Sequence, residues 1–353
     1  MVINHLVEAI NLAVRTQTRF CAYKEPGNCE ATFFSQTDEN FTSDSGFKIK
    51  TFTTQNDYSG EYYIYPQHSV DSFLRLHLSP GCRNSVLQFN IPSSTTRHQY
   101  NTAIHKCLSL LKRRVLDKIV LSKVIAFSTP NVNWGQLFVD LLYSYPDAFN
   151  FIYFTPETGG WAGATPEILG IFTDGNFKTM ALAATRLTGE TRQWSEKEFR
   201  EQEIVVQYIA DTFIKADIPY SVSQKCTHKA GNVEHLCNYF ESNDNDLKTA
   251  EFLIDALHPT PAVCGIPKDN AINALSGIEQ HKRGCYGGYI GPFSKNSFAY
   301  YVNLRSLCFD RQHVSLYCGG GIVIDSNPGK EWDETEAKSM TLIPILTKNS
   351  GII

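Results

Sequence analysis

The sequence lacks several patterns that would assign it to common functional classes. It contains neither a P-loop nor a G-x-G-x-x-G turn between a strand and a helix, which argues against ATP and nicotinamide chemistry. No apolar run approaches the roughly 20 residues needed to span a bilayer. The net charge is only −4, so the composition does not indicate a nucleic-acid partner. Any site for an anion must therefore be local.

Cysteine pairs are also missing, although the chain contains ten cysteines. None of them forms a C-x-x-C motif, which favours small core residues in a reducing compartment over a disulfide or metal framework. The N-terminal stretch MVINHLVEAINLAVRTQ predicts an amphipathic helix rather than a signal peptide. We therefore expect a soluble, cytoplasmic protein with no membrane partner.

The length of 353 residues and the hydrophobic content of 42% allow either one large core or two ordinary domains. The absence of internal repeats, low-complexity linkers and composition breaks favours a single domain over residues 1–353. Hairpin signals outnumber alternating strand–helix units. The predicted fold class is therefore α+β, a mixed α/β domain with long, mostly antiparallel sheets and helices packed outside.

The most informative stretch is GGGIVIDSNPGKEWDETEAK, residues 319–338. It opens with three glycines whose backbone N–H groups can approach an anion closely: Gly319, Gly320 and Gly321. The helix predicted after the turn at 327–329 places Glu331, Glu334 and Lys338 on one face. Carboxylates in a cleft suit a hard cation such as Mg²⁺. The same spacing is also typical of a solvated helix face with an i,i+4 ion pair.

Two charged residues stand in apolar surroundings. Lys118 begins the predicted strand DKIVLSKVIAF, 117–127, and shares a strand face with Val120. Glu167 lies between two apolar runs, where burial would raise the pKa of its carboxyl and let it donate a proton near neutrality. Each has a structural alternative, because a lysine at a strand end can reach water and a glutamate can occupy an exposed turn.

The predicted helix RQWSEKEFREQEIVVQYIADTFI contains two glutamates with different expected roles. Ser195 and Glu198 have the S-x-x-E spacing of a capping box. Glu201 lies one turn further on and shares its face with Val205, so we prefer it as a ligand. The strand-like stretch that follows contains His235. A single histidine in such a strand is more often a hydrogen-bonded structural residue than a catalytic one.

A hairpin around 310–312 is predicted from FAYYVNLRSLCF and HVSLYC. Alternation along the first of these strands places Tyr301, Asn303 and Arg305 on one face. Arg305 could hold a carboxylate with a bidentate fork. An arginine on a solvent-facing sheet surface fits the pattern equally well.

The chain resembles the chorismate-utilising enzymes, and most of all the isochorismate synthases, in blocks that occur in the same order: DKIVLSK, WAGATPEILG, LAATRLTG, EFREQEIVVQ, HPTPAVCGIPK, RGCYGGYIGP, VNLRS and GGGIVIDSNPGKEWDETEAK. The match covers residues 100–347 and is weak before them. The resemblance therefore implies a variable N-terminal part, 1–100, and a catalytic core, 101–347, within a single chorismate-binding domain.

The resemblance also implies an Mg²⁺-dependent isomerase. Lys118 would be the general base that activates water for attack on carbon 2 of chorismate, and Glu167 the general acid that protonates the hydroxyl leaving carbon 4. These roles require opposite pKa shifts in the two side chains. By the same resemblance, Glu201 and Glu334 would bind Mg²⁺ directly. Glu198 and Glu331 would lie close to the ion and often contact it through water. The implied substrate-binding residues are Arg305, Lys338, Tyr286, His235, Thr185, Ala262, and the amides of Gly319, Gly320 and Gly321.

Lys118 distinguishes among the relatives. Anthranilate synthases resemble this pattern but have Gln at that position, so a water nucleophile is favoured and no glutaminase subunit is expected. Aminodeoxychorismate synthases place a lysine in the block corresponding to LAATR, where this chain has none. Salicylate synthases share Lys118, Glu167 and the metal glutamates, so elimination of pyruvate after isochorismate formation remains an alternative. Ala184 departs from the family, which usually has glycine there, and could tighten the pocket.

Two alternatives come from other functional classes. A non-catalytic binder of small acids would keep Arg305 and Lys338 but could lose the acid, the base or the metal glutamates, all of which this chain retains. A metal-dependent phosphate hydrolase would be expected to use His or Asp ligand clusters, which the sequence lacks. The downstream pathway stays open between menaquinone, siderophore and salicylate production.

Overall fold

The structure is a computed structural model that describes residues 3–52, 60–76, 91–129, 131–230 and 233–351. The strand-like stretch TFTTQND, 51–57, lies mostly outside these ranges, and Cys82 lies outside them entirely. The cysteines within the described ranges are all free thiols and most are buried, as expected from their spacing.

Nine helices lie in the described part of the chain: α1 (Ile3–Thr16), α2 (Val70–Leu74), α3 (Arg97–Lys112), α4 (Trp134–Ser144), α5 (Glu196–Lys215), α6 (Leu247–Leu257), α7 (Lys268–Ile278), α8 (Pro328–Ser339) and α9 (Ile343–Ser350). The strands of the same ranges are β1 (Arg19–Lys24), β2 (Thr32–Gln36), β3 (Gly46–Lys50), β4 (Glu61–Ile64), β5 (Lys118–Ser128), β6 (Phe149–Thr155), β7 (Gly159–Thr165), β8 (Ile168–Thr173), β9 (Asn176–Leu187), β10 (Ser221–Val222), β11 (Cys226–Ala230), β12 (Val233–Ser242), β13 (Gly265–Ile266), β14 (Tyr289–Ser294), β15 (Ser297–Val302), β16 (Ser306–Phe309) and β17 (His313–Ile322).

The strands form two antiparallel sheets. The first has eight strands in the order β13-β5-β17-β16-β7-β6-β1-β2. The second has nine, in the order β10-β12-β9-β8-β15-β14-β3-β4, with β11 also paired to β12. The prediction of long, mostly antiparallel sheets in a mixed α/β fold is confirmed.

Side chains alternate along each strand and so divide the interior into layers. In β6, Phe149, Phe151 and Tyr153 belong to an aromatic core between the two sheets, whereas Ile152 and Phe154 pack toward the helices. Helices α1, α4 and α9 cover the first sheet. Helices α5 and α6 pack on the second sheet, and α3 and α7 pack beside β5. The helices therefore lie outside the paired sheets, as predicted.

Two short connections carry the chain from the first sheet to the second or back. Pro166 and Glu167 join β7 to β8, and residues 303–305 join β15 to β16. Since β7 pairs with β16 and β8 pairs with β15, the two connections lie side by side.

The second connection corrects a prediction. The stretch FAYYVNLRSLCF is two strands in different sheets rather than one continuous strand of a hairpin. Arg305 has φ 47°, in the left-handed region, which breaks the extended chain at that point. The predicted turn at 310–312 does join β16 to β17.

Candidate active site

A cavity of about 510 Å³ opens where the two crossovers meet β5, β9, β17 and helices α5 and α8. All but one of the residues predicted for the site line it: Lys118, Glu167, Thr185, Glu198, Glu201, His235, Ala262, Tyr286, Arg305, Gly319, Gly321, Glu331, Glu334 and Lys338. The exception is Gly320. Residues predicted from nine separate stretches of sequence thus converge on one cavity.

Gly320 lies on the other side of β17. A Cβ added there would lie 3.5 Å from the hydroxyl of Tyr100 and 3.6 Å from a carboxylate oxygen of Glu331. The added Cβ atoms of Gly319 and Gly321 would instead approach Tyr286 and Lys118, which line the cavity. Strand alternation therefore separates the three consecutive glycines into two facing the cavity and one facing away.

The pairing of β17 with β5 also sets the direction of two glycine amides. Gly319 lies opposite Ser122, and Gly321 lies opposite Val120. Val120 and Ser122 donate their own N–H groups to partners on the far side of β5. Residues opposed in this way in an antiparallel ladder exchange no hydrogen bonds. The N–H groups of Gly319 and Gly321 therefore point away from β5, and their use by an anion stays a prediction.

Lys118 is buried at the start of β5, where it pairs with Ile266 of β13. Its side chain is only 3% exposed, so it does not reach water as the structural alternative required. Burial lowers the pKa of Lys118; Glu201 opposes this shift, and Lys338 adds to it. The ammonium is therefore easier to deprotonate than that of an ordinary lysine.

Glu167 occupies the β7–β8 crossover and is 4% exposed, which excludes the exposed-turn alternative. Burial raises the pKa of its carboxyl to about 7, although Lys118 and a hydrogen bond from Thr260 oppose the shift. The hydroxyl of Thr260 donates to Oε1 at 3.4 Å. Near neutral pH a substantial fraction of Glu167 is thus protonated and able to donate a proton.

Arg305 is held at the second crossover by His235. Nδ1 of His235 lies 2.8 Å from the carbonyl oxygen of Ala184, which can only accept, so Nδ1 carries the proton. Nε2 then accepts from the guanidinium of Arg305 at 2.6 Å. Burial, with Arg305 adding to it, lowers the pKa of His235 well below its usual value, in agreement with a neutral ring. His235 therefore orients the arginine rather than acting as a charged group.

Ala184 lies in an irregular part of β9. The register between β9 and β12 shifts beside His235, and Ala184 adopts φ 58°. Left-handed backbone costs an alanine roughly 1–2 kcal/mol, whereas glycine adopts it freely. Ala184 also lines the cavity, so its methyl group occupies space next to Thr185.

Helices α5 and α8 bring three carboxylates to one end of the cavity: Glu201, Glu331 and Glu334. Glu331 is 2% exposed, and its Oε2 is a buried oxygen without a hydrogen-bond partner among the described residues. Lys197, which the sequence analysis did not single out, lies between Glu201 and Glu331. Its Nζ is 3.6 Å from the first and 3.3 Å from the second.

The other end of α8 pairs Glu334 with Lys338 across 2.8 Å. Burial opposes ionisation of Glu334, but Lys338 lowers the pKa of its carboxyl below the usual value. Lys338 also donates to the carbonyl oxygen of Gly319 at 2.9 Å, which joins α8 to β17. The predicted face of Glu331, Glu334 and Lys338 is therefore turned to the cavity rather than to solvent.

Glu198 has other partners. It completes the predicted capping box, because its Oε2 accepts from the N–H of Ser195 at 2.7 Å and Ser195 caps the first turn. Arg192 binds the same carboxylate in bidentate fashion, with two distances of 2.8 Å. Both oxygens are thus engaged, and a role near a metal would require Arg192 to move.

The carboxylates at this end of the cavity offer oxygen ligands for a metal ion. Across the described ranges, no three His, Cys, Asp or Glu side chains already converge as a metal site. The donor chemistry nevertheless fits, since the carboxylates of Glu201, Glu331 and Glu334 line the same end of the cavity, and Mg²⁺ prefers such oxygens.

Several residues of the site were missed by the sequence analysis. Thr260, Arg192 and Lys197 contact the predicted residues directly. Arg283 acts from behind the cavity wall, where it donates to the carbonyls of Val263 and Val120, both 2.6 Å away. Lys197 had one available signal, its i,i+4 spacing from Glu201. Thr260, Arg192 and Arg283 lie in loops, where no periodicity indicates which way a side chain points.

The chain was compared with known proteins. A family model described as chorismate binding enzyme matches residues 53–347. The chain is 29% identical over 304 residues to isochorismate synthase EntC of Escherichia coli (strain K12), covering 80% of this chain and 77% of that protein. It is 27% identical over 256 residues to isochorismate synthase MenF of Haemophilus influenzae, covering 69% of this chain and 60% of that protein.

A solved structure shares the fold. MenF, the menaquinone-specific isochorismate synthase from Escherichia coli, matches with a TM-score of 0.79 at 20% identity, covering 98% of this chain and 91% of that chain. At that identity the likeness concerns the fold alone.

Within the described ranges, no helix is long and apolar enough to cross a bilayer.

Proposed function

This chain belongs to the family of chorismate binding enzymes, and on that premise we propose that it is an isochorismate synthase, an Mg²⁺-dependent isomerase. The observation that carries the proposal is the pair of Lys118 and Glu167. Both are buried in the same cavity, and burial favours the neutral form of each, so that one can accept and the other donate a proton.

The comparisons support this reaction over its relatives. The similar curated proteins EntC and MenF are named isochorismate synthases. Lys118 stands where the resemblance to anthranilate synthases would require Gln, and a lysine can activate water. Salicylate synthases share Lys118, Glu167 and the metal glutamates by resemblance, so formation of salicylate is the alternative outcome of the product assay.

Substrate binding is assigned to the cationic and amide groups of the cavity. Chorismate is a dicarboxylate, and Arg305 and Lys338 offer two positive charges in the same cavity. Tyr286 and the amides of Gly319 and Gly321 add neutral donors. Ala262 and Thr185 limit the space around the ring.

The chemical step uses the two buried groups in sequence. Neutral Lys118 takes a proton from a water molecule while the oxygen of that water attacks carbon 2 of chorismate. Protonated Glu167 gives its proton to the hydroxyl leaving carbon 4, which departs as water. One water enters and one leaves, so the product is an isomer of the substrate. Each proton transfer of this kind is typically worth about 10²–10⁴-fold in rate.

Mg²⁺, when bound, would supply a positive charge for a substrate carboxylate. Glu201 and Glu334 would hold the ion, with Glu331 and Glu198 close by. These residues otherwise keep the end of the cavity negative, so the metal and the anionic substrate would depend on each other for binding.

The first experiment is a product assay. The pure protein is incubated with chorismate, with Mg²⁺ or with EDTA, and the products are separated by chromatography with mass detection. A product of unchanged mass and altered retention that forms only with Mg²⁺ is expected. Salicylate with pyruvate would replace the proposal by the salicylate synthase alternative, and no conversion in either condition would favour a non-catalytic binder.

Two substitutions test the assigned roles. Lys118→Ala and Glu167→Gln should each reduce turnover by at least about 10²-fold while Mg²⁺-dependent chorismate binding persists. Matched controls come from the exposed ion pair of Lys178 and Glu241, outside the cavity. Lys178→Ala and Glu241→Gln should retain turnover. Wild-type turnover in either cavity variant would remove that residue from the mechanism.

A further inference from the structure

The carboxylate cluster between α5 and α8 contains a cation supplied by the chain itself. Nζ of Lys197 lies 3.3 Å from Oε1 of Glu331 and 3.6 Å from Oε1 of Glu201. Lys197 and Glu201 belong to α5, whereas Glu331 belongs to α8. One ammonium therefore joins the two helices that contribute the acidic end of the cavity.

The ammonium leaves the cluster only partly neutralised. It contacts Oε1 of Glu331, while Oε2 of the same buried carboxylate has no hydrogen-bond partner among the described residues. A buried carboxylate oxygen without a partner costs free energy. A divalent cation would supply two charges and could engage oxygens that a single ammonium does not.

The ammonium and a bridging metal ion require the same place. An ion held by Glu201 and Glu334, with Glu331 close by, has to approach the same carboxylates that surround Nζ of Lys197, which contacts Glu201 and Glu331 and is acted on by the charge of Glu334. A metal ion bound among these carboxylates would also repel the nearby ammonium of Lys197 strongly, because the site is partly buried. The lysine side chain is 40% exposed, so it can swing toward the open cavity without disturbing the core.

We propose that Lys197 is the resident counter-cation of the metal-free site, that a divalent cation displaces it, and that this competition weakens the affinity of the site for the metal. The inference rests on the metal site of the proposed function. It adds a residue that tunes cation affinity without being a metal ligand.

Cation binding to the substrate-free protein tests the proposal. Calorimetric titration with Mn²⁺ at pH 8 and low ionic strength compares the wild type with Lys197→Met. We expect the variant to bind at least about tenfold more tightly, because a repelling unit charge a few ångströms away is lost. Unchanged or weaker binding by the variant would overturn the proposal.

Lys225→Met is the matched control. Nζ of Lys225 lies 3.9 Å from a carboxylate oxygen of Glu203, which is a residue of α5. Lys225→Met therefore loses one positive charge and one ion pair to α5, as Lys197→Met does. Neither residue lines the cavity. The control should bind Mn²⁺ within about twofold of the wild type. If Lys225→Met gained as much Mn²⁺ affinity as Lys197→Met, the gain would come from the change in net charge rather than from competition at the site.

Thermal unfolding gives a readout of the metal-free state. In EDTA, Lys197→Met should melt below the wild type, because Glu201 and Glu331 lose their shared counter-cation. Saturating Mg²⁺ should remove the deficit. Equal melting temperatures in EDTA would contradict the role of Lys197 in the metal-free protein.

A measurement on the unmodified protein avoids reliance on a variant. Carbodiimide couples an amine directly to a carboxylate that it contacts, so Lys197 should cross-link to Glu331 or Glu201 in EDTA. Mg²⁺ should suppress this product but not the cross-link between the exposed Lys178 and Glu241, which lie 2.9 Å apart. A Lys197 cross-link that persists at saturating Mg²⁺ would exclude displacement.

The outcomes separate this inference from the proposed function. If the wild type binds Mn²⁺ and Lys197→Met binds it equally well, only the competition fails. If the wild type binds no divalent cation, the metal site of the proposed function fails, and the inference is overturned with it.

Discussion

At the scale of single residues, burial acts on Lys118 and Glu167 in opposite senses because their charged forms have opposite sign. The pKa of Lys118 falls and that of Glu167 rises to about 7, so both neutral forms become accessible near neutral pH. Thr260 and Arg305 moderate the shift of Glu167 without removing it. The chemistry proposed for the cavity depends on this partial neutralisation.

Glu167 should also make the protein less stable as the pH rises. Its folded-state pKa lies above the value near 4.5 of the unfolded chain, so between these values the unfolded chain releases a proton that the folded protein retains. Glu167→Gln removes this effect. The stability gained by the variant should grow by about 2 kcal/mol between pH 5.5 and pH 8.

Urea unfolding of both proteins in EDTA at the two pH values measures this change. Glu241→Gln is the control, because Glu241 is exposed in an ion pair with Lys178. A gain that is the same at both pH values would show that Glu167 is not held protonated by the fold.

Ala184 offers a second prediction at this scale. Ala184→Gly should stabilise the protein by about 1 kcal/mol, because glycine adopts the left-handed backbone at φ 58° without the cost that alanine incurs. The neighbouring Ala183 has no such backbone, so Ala183→Gly should instead destabilise by about 0.5–1 kcal/mol. Chemical unfolding compares the two. Destabilisation by both substitutions would show that the methyl group of Ala184 contributes more by packing than it costs in strain.

At the scale of elements, the glycines of β17 differ in what an added side chain would contact. A Cβ at Gly321 would lie 3.1 Å from Cε of Lys118, which is tighter than ordinary contact. Gly321→Ala should therefore displace the lysine and lower kcat by at least about tenfold, since a small misplacement of a reacting group costs rate steeply.

Gly320→Ala tests the same strand from its other face. The added methyl would meet Tyr100 at 3.5 Å, an ordinary contact away from Lys118. Steady-state kinetics with chorismate should show a much smaller loss of kcat than for Gly321→Ala. Equal losses in the two variants would mean that the strand as a whole, rather than contact with Lys118, decides the effect.

At the scale of the whole molecule, the N-terminal residues contribute to both sheets. β1 and β2 extend the first sheet, and β3 and β4 extend the second. Phe34 and Phe47 from this part share the aromatic core between the sheets with Phe149 and Tyr301. The division into a variable part, 1–100, and a catalytic core, 101–347, therefore stays a prediction about sequence, while the packing joins the two.

This shared core predicts cooperative unfolding. Calorimetry of the metal-free protein should show one transition, and a chain beginning at residue 97 should fail to fold, because it lacks the last two strands at one edge of each sheet. Phe47→Ala should lower the melting temperature of the whole molecule, since truncating a buried Phe costs about 3–5 kcal/mol. Two separate transitions, with only one shifted by Phe47→Ala, would indicate two independent domains.

Much of the local structure followed from the sequence. The sequence predicts a helix from about Trp134 to Tyr145 and a strand at FNFIYFT, 149–155, and the structure has α4 and β6 there. The capping box predicted at Ser195 is also present, because such patterns act over a few residues. Apolar spacing predicts a helix from Asn101 to Val115, but α3 already begins at Arg97, since Thr96 provides an N-cap in a stretch without apolar periodicity. The residue types of the site were also recognisable, as acids, bases and glycines in an ordered set of blocks.

Only the tertiary structure decided how those residues act together. Glu167 and Arg305 meet because two crossovers between sheets lie side by side, and the sequence around Arg305 predicted a continuous strand instead. Lys197 lies between Glu201 and Glu331 because two helices distant in sequence converge. Periodicity determines which face a side chain takes on its own element, whereas burial, pKa and ion pairing depend on what the rest of the chain places against that face.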